Sequence, residues 1–330
     1  MTAGLHPGLW GVLATPFDED GTVDHQSLER QVHFALAAGS DGLVALGVFG
    51  EAANLSLAEQ RAVASTVVSA AEGQPIVLGV SGRATAVAVE QAVNALEGAR
   101  SHAAGPAGPS GEGAPDPMRL MVQVNSDKAA VVARHLHRVH AETGVGIVLQ
   151  DYPTASGVHI APAEILEVLR ECPFVAAVKA EAPPTPAAIG ELTQHTNMPV
   201  FGGLGGVGLI DELAMGAAGA MTGFSHPEGL RATIDAYATG GFDAAWQTWS
   251  PWLPLANFEG QAGITLALRK MLLHLRGVLR HPGVRPPALP APDHLLPLLE
   301  RHLRAVSEHS RSASRENPPE REGERRWTLD

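Results

Sequence analysis

A lysine ends one of the most apolar runs in the sequence. Lys179 follows Phe174-Val175-Ala176-Ala177-Val178, and Glu181 lies two residues further on. Burial disfavours the charged form of a lysine, and a neutral amine is the nucleophile that forms a Schiff base with a carbonyl substrate. Because alternate residues of a strand share a face, Glu181 could assist proton transfer beside that amine. The alternatives are a lysine that reaches from a strand end to solvent and a glutamate that only supports a neighbouring strand.

Lysine is rare in this chain, which has 23 basic residues but only Lys128, Lys179 and Lys270 as lysines. Arginine therefore supplies most of the positive charge of the surface. This scarcity makes a lysine at the end of an apolar strand a stronger candidate for chemistry.

A glycine-flanked turn supplies a second candidate site. Gly47, Val48, Phe49 and Gly50 precede Glu51, and glycines on both sides of two turn residues let backbone N–H groups point inward to hold a carboxylate. We expect Glu51 to brace this turn as a structural acceptor. The alternative is a tight connection between a strand and a helix that binds no ligand.

Polar groups also follow other apolar runs. Gln150 begins the segment Gln150-Asp151-Tyr152-Pro153-Thr154-Ala155-Ser156-Gly157, which is typical of a site wall but also of an ordinary turn. We predict that Gln150 orients the substrate. Further candidate substrate contacts at strand ends are Ser156, Gly203 and Ser225, and His226 follows the last of these.

The elements that must position these residues form a repeat. Eight short apolar runs alternate with helical patterns, which predicts an α/β fold, a (β/α)8 TIM barrel with its reactive groups at the carboxyl ends of the strands. A doubly wound open sheet is the main alternative, but no glycine-rich dinucleotide motif follows the first run. The predicted strands are Trp10 to Thr15, Leu43 to Val48, Pro75 to Val80, Met118 to Val124, Gly146 to Asp151, Phe174 to Ala180, Pro199 to Gly203 and Ala218 to Gly223.

The predicted domain organisation has three parts. Residues 1–236 form the barrel, with a Gly/Pro-rich insertion at 101–117. Residues 237–306 form a helical region packed on the barrel. Residues 307–330 are charged and almost free of aliphatic side chains, which predicts a disordered tail.

Composition limits the class of partner. The net charge of −12 disfavours nucleic acid, and no apolar stretch is long enough to span a membrane. A cytoplasmic location is expected, since no export signal is recognised and the single cysteine, Cys172, forms no internal disulfide. No strand end carries a set of histidine and carboxylate ligands, so neither a metal nor another cofactor is predicted.

Together, these motifs resemble those of the dihydrodipicolinate synthase and N-acetylneuraminate lyase family of class I aldolases and dehydratases, over roughly Gly8 to Leu279. The corresponding segments are Gly47 to Glu51, Gln150 to Gly157 and Val178 to Glu181. The resemblance implies a Schiff-base lyase in which Lys179 forms an imine with a small 2-oxo acid such as pyruvate. It also implies a homo-oligomer, either a dimer or a tetramer.

Several positions depart from the family pattern. Gln150 stands where the family has a proton-shuttling tyrosine, Val48 and Phe49 replace a hydroxyl-bearing pair, and Ala155 replaces an arginine. These differences disfavour dihydrodipicolinate synthesis. Segments around Lys179, Gly219 to Gly223 and Trp252 to Glu259 are similar to the branch of 2-keto-3-deoxy sugar acid dehydratases. The alternatives are aldol cleavage, pyruvate condensation as in 4-hydroxy-tetrahydrodipicolinate synthase, and an inactive barrel that binds 2-oxo acids.

Overall fold

A computed structural model of the chain describes residues 4–103 and 118–316. Eight parallel strands pair in sequence order, and β1 pairs with β8 as well as with β2, so that the sheet closes into a barrel. The predicted (β/α)8 barrel is therefore confirmed, and the open sheet is excluded. The strands are β1 Gly8–Val12, β2 Gly42–Ala45, β3 Ile76–Val80, β4 Met118–Gln123, β5 Ile147–Asp151, β6 Val175–Ala180, β7 Val200–Gly202 and β8 Gly219–Thr222.

Helices surround the strands and continue after the last one. In chain order they are α1 His25–Ala37, α2 Leu57–Ala70, α3 Thr85–Ala103, α4 Ala129–Thr143, α5 Pro153–Ser156, α6 Pro162–Glu171, α7 Thr185–His195, α8 Leu209–Ala214, α9 Pro227–Trp249, α10 Leu253–Glu259, α11 Thr265–Leu275 and α12 Leu296–Glu316. Local sequence explains several starts: Ser56 and Glu59 form a capping box before α2, Asp24 caps α1, and Pro162 occupies the first turn of α6.

Both faces of the strands are buried, which explains why they appear in the sequence as continuous apolar runs. One set of side chains fills the barrel interior, and alternate residues such as Leu43, Leu78 and Leu149 pack in a larger cluster that includes helical residues. The interior set includes Trp10, Val44, Val77, Met121, Val148, Ala177, Phe201 and Met221. The interior is thus a packed core, and chemistry is confined to its ends.

The chain divides into two compact units, Met1–Ala291 and Pro292–Asp330. In the second unit, α12 buries Leu299 and Val306, which lie two helical turns apart. The helix continues to Glu316, past residue 307, where the sequence predicted that a disordered tail begins. Residues 317–330 lie outside the described range, as does the predicted insertion beyond Ala103.

Within the described residues, no helix is both long enough and apolar enough to cross a membrane.

Candidate active site

The barrel register places three polar residues side by side at the carboxyl ends of β4, β5 and β6. Gln123 on β4 pairs with Gln150 on β5, which pairs with Lys179 on β6. Each lies two residues after a side chain of the interior core, so all three belong to the layer that closes the core at the barrel mouth. The sequence predicted this position for Lys179 and Gln150, but it did not single out Gln123.

Glu181 connects the predicted catalytic residues. Its Oε2 lies 3.1 Å from the Nζ of Lys179 and accepts a hydrogen bond of 2.8 Å from the Nε2 of Gln150. The backbone N–H of Leu204 donates to Oε1 over 3.3 Å. Lys179, Gln150 and Glu181 are all buried. The structure therefore brings the amine, the amide and the carboxylate into direct contact.

Gly203 lies against this carboxylate. A Cβ at residue 203 would lie 2.2 Å from the Oε1 of Glu181, closer than a carbon and an oxygen can approach. A larger residue would displace Glu181 from its position beside Lys179. The structure thus gives Gly203 a steric role, and its predicted contact with substrate stays a prediction.

Asp151 adds a second buried carboxyl next to the site. Burial, reinforced by the charge of Glu181, raises the pKa of Asp151 to about 6. Its Oδ1 has no hydrogen-bond partner among the described residues. Burial and Glu181 also raise the pKa of the neighbouring Tyr152.

The loop after β2 is a compact turn that leaves amides unused. Leu46 and Glu51 both adopt left-handed backbone conformations, and the N–H groups of Glu51 and Ala52 donate back to Val48 and Gly47. In residues 4–103 and 118–316, the amides of Val48, Phe49 and Gly50 have no hydrogen-bond partner. Consecutive free N–H groups can hold a carboxylate, and carboxylate binding by this loop stays a prediction.

Glu51 braces the turn, as expected from the sequence. Its Oε1 accepts a hydrogen bond from the Nζ of Lys270, and its Oε2 accepts one from the N–H of Arg285 over 3.1 Å. Lys270 also donates to the carbonyl of Gly283 over 2.9 Å and is fully buried, so its amine is a structural group. Sequence patterns could not identify this pair, because 219 residues separate its members.

A pocket of about 280 Å³ opens beside the turn, which is a suitable volume for a small acid. It is lined by Gly47, Val48, Glu51, Ala53, Asn54, Ser81, Arg83, Gln123, Ala155 and Leu266. The lining is mostly polar or small, and it joins the β2 turn to the ends of β3, β4 and β5.

The two predicted serines have protein partners. The Oγ of Ser156 donates to the carbonyl of Tyr152 over 3.1 Å and accepts from the N–H of Val158, so it supports its own turn. The Oγ of Ser225 donates to Glu259 over 2.5 Å and lies 2.9 Å from the Nδ1 of His226. Burial lowers the pKa of His226 to about 3, which keeps that ring neutral. Substrate contact by either serine stays a prediction.

Known proteins with similar sequences belong to one family of barrel enzymes. The model of the dihydrodipicolinate synthetase family matches residues 6–104 and 125–306. An L-2-keto-3-deoxyarabonate dehydratase from Azospirillum brasilense is 31% identical over 287 residues, which cover 84% of this chain and 88% of the relative. A 4-hydroxy-tetrahydrodipicolinate synthase from Chlorobium limicola is 30% identical over 250 residues, which cover 74% of this chain and 79% of the relative.

Solved structures show the same fold. A crystal structure of dihydrodipicolinate synthase from Rhodopseudomonas palustris superposes with a TM-score of 0.80 and 26% sequence identity, and the match covers 92% of this chain and all of that one.

Proposed function

The chain belongs to the dihydrodipicolinate synthetase family, and from this premise we propose that it is a lyase that dehydrates a small 2-oxo acid through an imine on Lys179. The observation that carries the proposal is the buried contact of 3.1 Å between the Nζ of Lys179 and the Oε2 of Glu181. This contact supplies an amine and a proton acceptor at one point of the barrel mouth.

The first step is addition of the Lys179 amine to the C2 carbonyl of the substrate. The C2 oxygen then leaves as water, which gives a protonated imine. Glu181 lies within reach to accept a proton from the lysine ammonium, and Gln150 holds the same Glu181 oxygen through its amide. Gln150 therefore positions Glu181, since an amide can donate a hydrogen bond but cannot act as a general acid.

The free amides of Val48, Phe49 and Gly50 would hold the substrate carboxylate. The β2 turn lies across the barrel from β6 in the closed strand order, so an acid with its carboxylate in the turn directs its reacting carbons toward Lys179. Lys270 and Arg285 fix the turn through Glu51, so these donors are oriented before the substrate arrives.

The second step is elimination. The imine acidifies the C3 hydrogen, Glu181 removes it to form an enamine, and the C4 hydroxyl leaves as water with that proton. A further water then hydrolyses the unsaturated imine and restores Lys179, so one molecule of water is lost in the whole reaction. A 2-keto-3-deoxy sugar acid has the C4 hydroxyl that this step needs, and the similarity to the Azospirillum brasilense dehydratase supports this substrate class.

Borohydride trapping tests the proposal. Pyruvate or 4,5-dihydroxy-2-oxopentanoate is added with borohydride, and the labelled residue is identified by mass spectrometry. We expect a covalent adduct at Lys179 in the natural protein. The control Lys128→Arg keeps Lys179 and should form the same adduct, whereas Lys179→Arg should form none. The dihydroxy acid should also lose water without releasing pyruvate.

Unmodified protein with both acids would contradict the imine. Release of pyruvate would show that the reaction is aldol cleavage and not dehydration. Trapping without any turnover would support a barrel that only binds 2-oxo acids.

A further inference from the structure

Arg269 is a buried arginine that the proposed mechanism leaves unused. It lies in α11, it is 8% exposed, and its Nε donates to the Oε1 of Glu259 over 2.9 Å. Glu259 is itself fully buried and also accepts a hydrogen bond from Ser225. One edge of the guanidinium is therefore fixed by a carboxylate that has no access to solvent.

The guanidinium lies among the loops that form the barrel mouth. Its Cζ is 5.5 Å from the ring centroid of Phe49, in the β2 turn. Its Nη2 occupies the space beside Gly205, where a Cβ would lie 2.2 Å away and where the backbone φ is +73°. Residue 205 directly follows Leu204, whose N–H binds Glu181.

Arg269 itself lines a cavity of about 30 Å³ with Phe49 and Ser225, which is separate from the pocket beside the β2 turn. Leu266, one helical turn before Arg269 and on the same face of α11, lines the pocket beside the β2 turn. The charge of Arg269 also reaches Tyr152 at the end of β5, where it opposes the upward shift of the tyrosine pKa. The guanidinium thus adjoins the loops after β2 and β7, and its charge extends to the end of β5.

The outer edge of this arginine is available for a ligand. Across the described residues, neither Nη1 nor Nη2 of Arg269 donates a hydrogen bond to another protein group, whereas Nε does. Among the described residues, neither atom is one of the enclosed polar atoms that lack a partner, so both are open to a molecule from outside the protein. Because Glu259 already balances the positive charge, the edge suits neutral oxygen acceptors better than a second carboxylate.

We infer that Arg269 is a specificity-determining residue that binds the hydroxyl groups at the far end of the substrate. The inference rests on the proposed function, because it assumes that the carboxylate occupies the β2 turn and that C2 is held at Lys179. The tail of a short 2-oxo acid then extends along the mouth toward the free Nη edge. The substrate class is a 2-oxo acid with hydroxyl groups at C4 and C5.

Three acids with the same five-carbon chain test this assignment. They are 4,5-dihydroxy-2-oxopentanoate, 2-oxopentanoate and 2-oxopentanedioate, which differ only in the tail. The measured quantity is the concentration of each acid that gives half-maximal borohydride adduct at Lys179. The natural protein should bind the dihydroxy acid most tightly, by about ten- to a hundredfold, the range expected for hydrogen bonds to a charged group.

Arg269→Lys is the decisive variant, since a lysine can still pair with Glu259 but has no free fork of donors. We expect it to lose the preference for the dihydroxy acid and to trap 2-oxopentanoate as the natural protein does. Arg231→Lys is the matched control, because Arg231 is an arginine of α9 that is also paired with carboxylates, those of Asp41 and Asp235. This control should keep the preference.

The outcomes separate the two hypotheses. If the natural protein forms no adduct with any acid, the imine and the inference both fail. If adducts form but Arg269→Lys weakens all three acids equally, or changes none, Arg269 is structural and only the inference fails. The tightest binding of 2-oxopentanedioate by the natural protein would also overturn the assignment to hydroxyl groups.

Discussion

At the scale of single residues, Glu181 is the group on which the proposed elimination depends. It contacts the Nζ of Lys179, the Nε2 of Gln150 and the N–H of Leu204, so its orientation is fixed before a substrate binds. A carboxylate held in this way can accept a proton without reorganising the site.

Glu181→Gln should separate imine formation from elimination. The amide keeps the size of the side chain but cannot accept a proton, so we expect kcat for water loss to fall by about 10²- to 10⁴-fold. Pyruvate should still be trapped at Lys179, because imine formation can use water as the proton acceptor. Glu167→Gln, on the exposed face of α6, is the control for loss of one charge. Equal loss of trapping and turnover would argue that Glu181 serves only to hold Lys179.

The sequence predicted the residues that lie on strands and missed those that reach the mouth from outside the repeat. Lys179 and Gln150 follow apolar runs, so strand alternation is enough to place them in one layer. Arg269 and Lys270 lie within an ordinary helical pattern in α11. Their roles depend on contacts with the loops around residues 50 and 205, and the local sequence contains no signal for such distant partners.

At the scale of elements, the strand ends show where backbone conformation overrides side-chain pattern. The sequence predicted β2 as Leu43 to Val48, but the strand ends at Ala45. Leu46 has a φ of 57°, which turns the chain out of the sheet before Gly47. An apolar residue carries no sign of a left-handed conformation, so the pattern alone extends the strand too far.

The link between the β2 turn and α11 gives a stability prediction. Lys270→Met should leave Glu51 as a buried charge without its main partner and lower the free energy of unfolding by about 3–5 kcal/mol. The double variant Lys270→Met with Glu51→Gln should cost less than the sum of the two single changes. Urea unfolding of all four proteins measures this, and strict additivity would show that the two groups do not interact.

The buried carboxyl of Glu212, in α8, predicts a dependence of stability on pH. Burial raises the pKa of Glu212 to about 7, above its ordinary value of 4.5. The folded protein therefore holds this proton to a higher pH than the unfolded chain. Below pH 4.5 the raised pKa of Glu212 adds its full contribution to the free energy of unfolding. This contribution, about 2–3 kcal/mol, is lost as the pH rises to about 7.

Glu212→Gln should remove this slope, because the amide does not titrate and its oxygen can still accept the hydrogen bond from Thr185. Thermal or urea unfolding between pH 4 and pH 8 provides the comparison, with Glu191→Gln on the exposed face of α7 as control. A variant whose stability falls with pH as steeply as that of the natural protein would assign the slope to other groups.

At the scale of the whole molecule, the barrel could be predicted because its repeat is local and its strands are buried on both faces. The periodicity of each segment was sufficient to give the number and order of the strands. The limits of the C-terminal helices depend on packing across the chain, and α9, which spans the boundary proposed at residue 237, leaves the helical conformation at Gly241. Cytoplasmic location and the three-part division remain predictions.

We expect the protein to be a homo-oligomer in solution, as the family resemblance implies. Light scattering after size exclusion should give a mass that is two or four times the 34.4 kDa of one chain. A mass of a single chain at micromolar concentration would contradict this expectation.

The scarcity of lysine has a consequence for anyone who attaches this protein to a surface. Lys179 and Lys270 are buried, whereas the side chain of Lys128 is 67% exposed and lies just after β4, on the face that carries the barrel mouth. Amine coupling through Lys128 would therefore turn the mouth toward the support and hinder the diffusion of substrate. Lys128→Arg, with a single lysine introduced at the opposite face, would be the rational choice for an immobilised form.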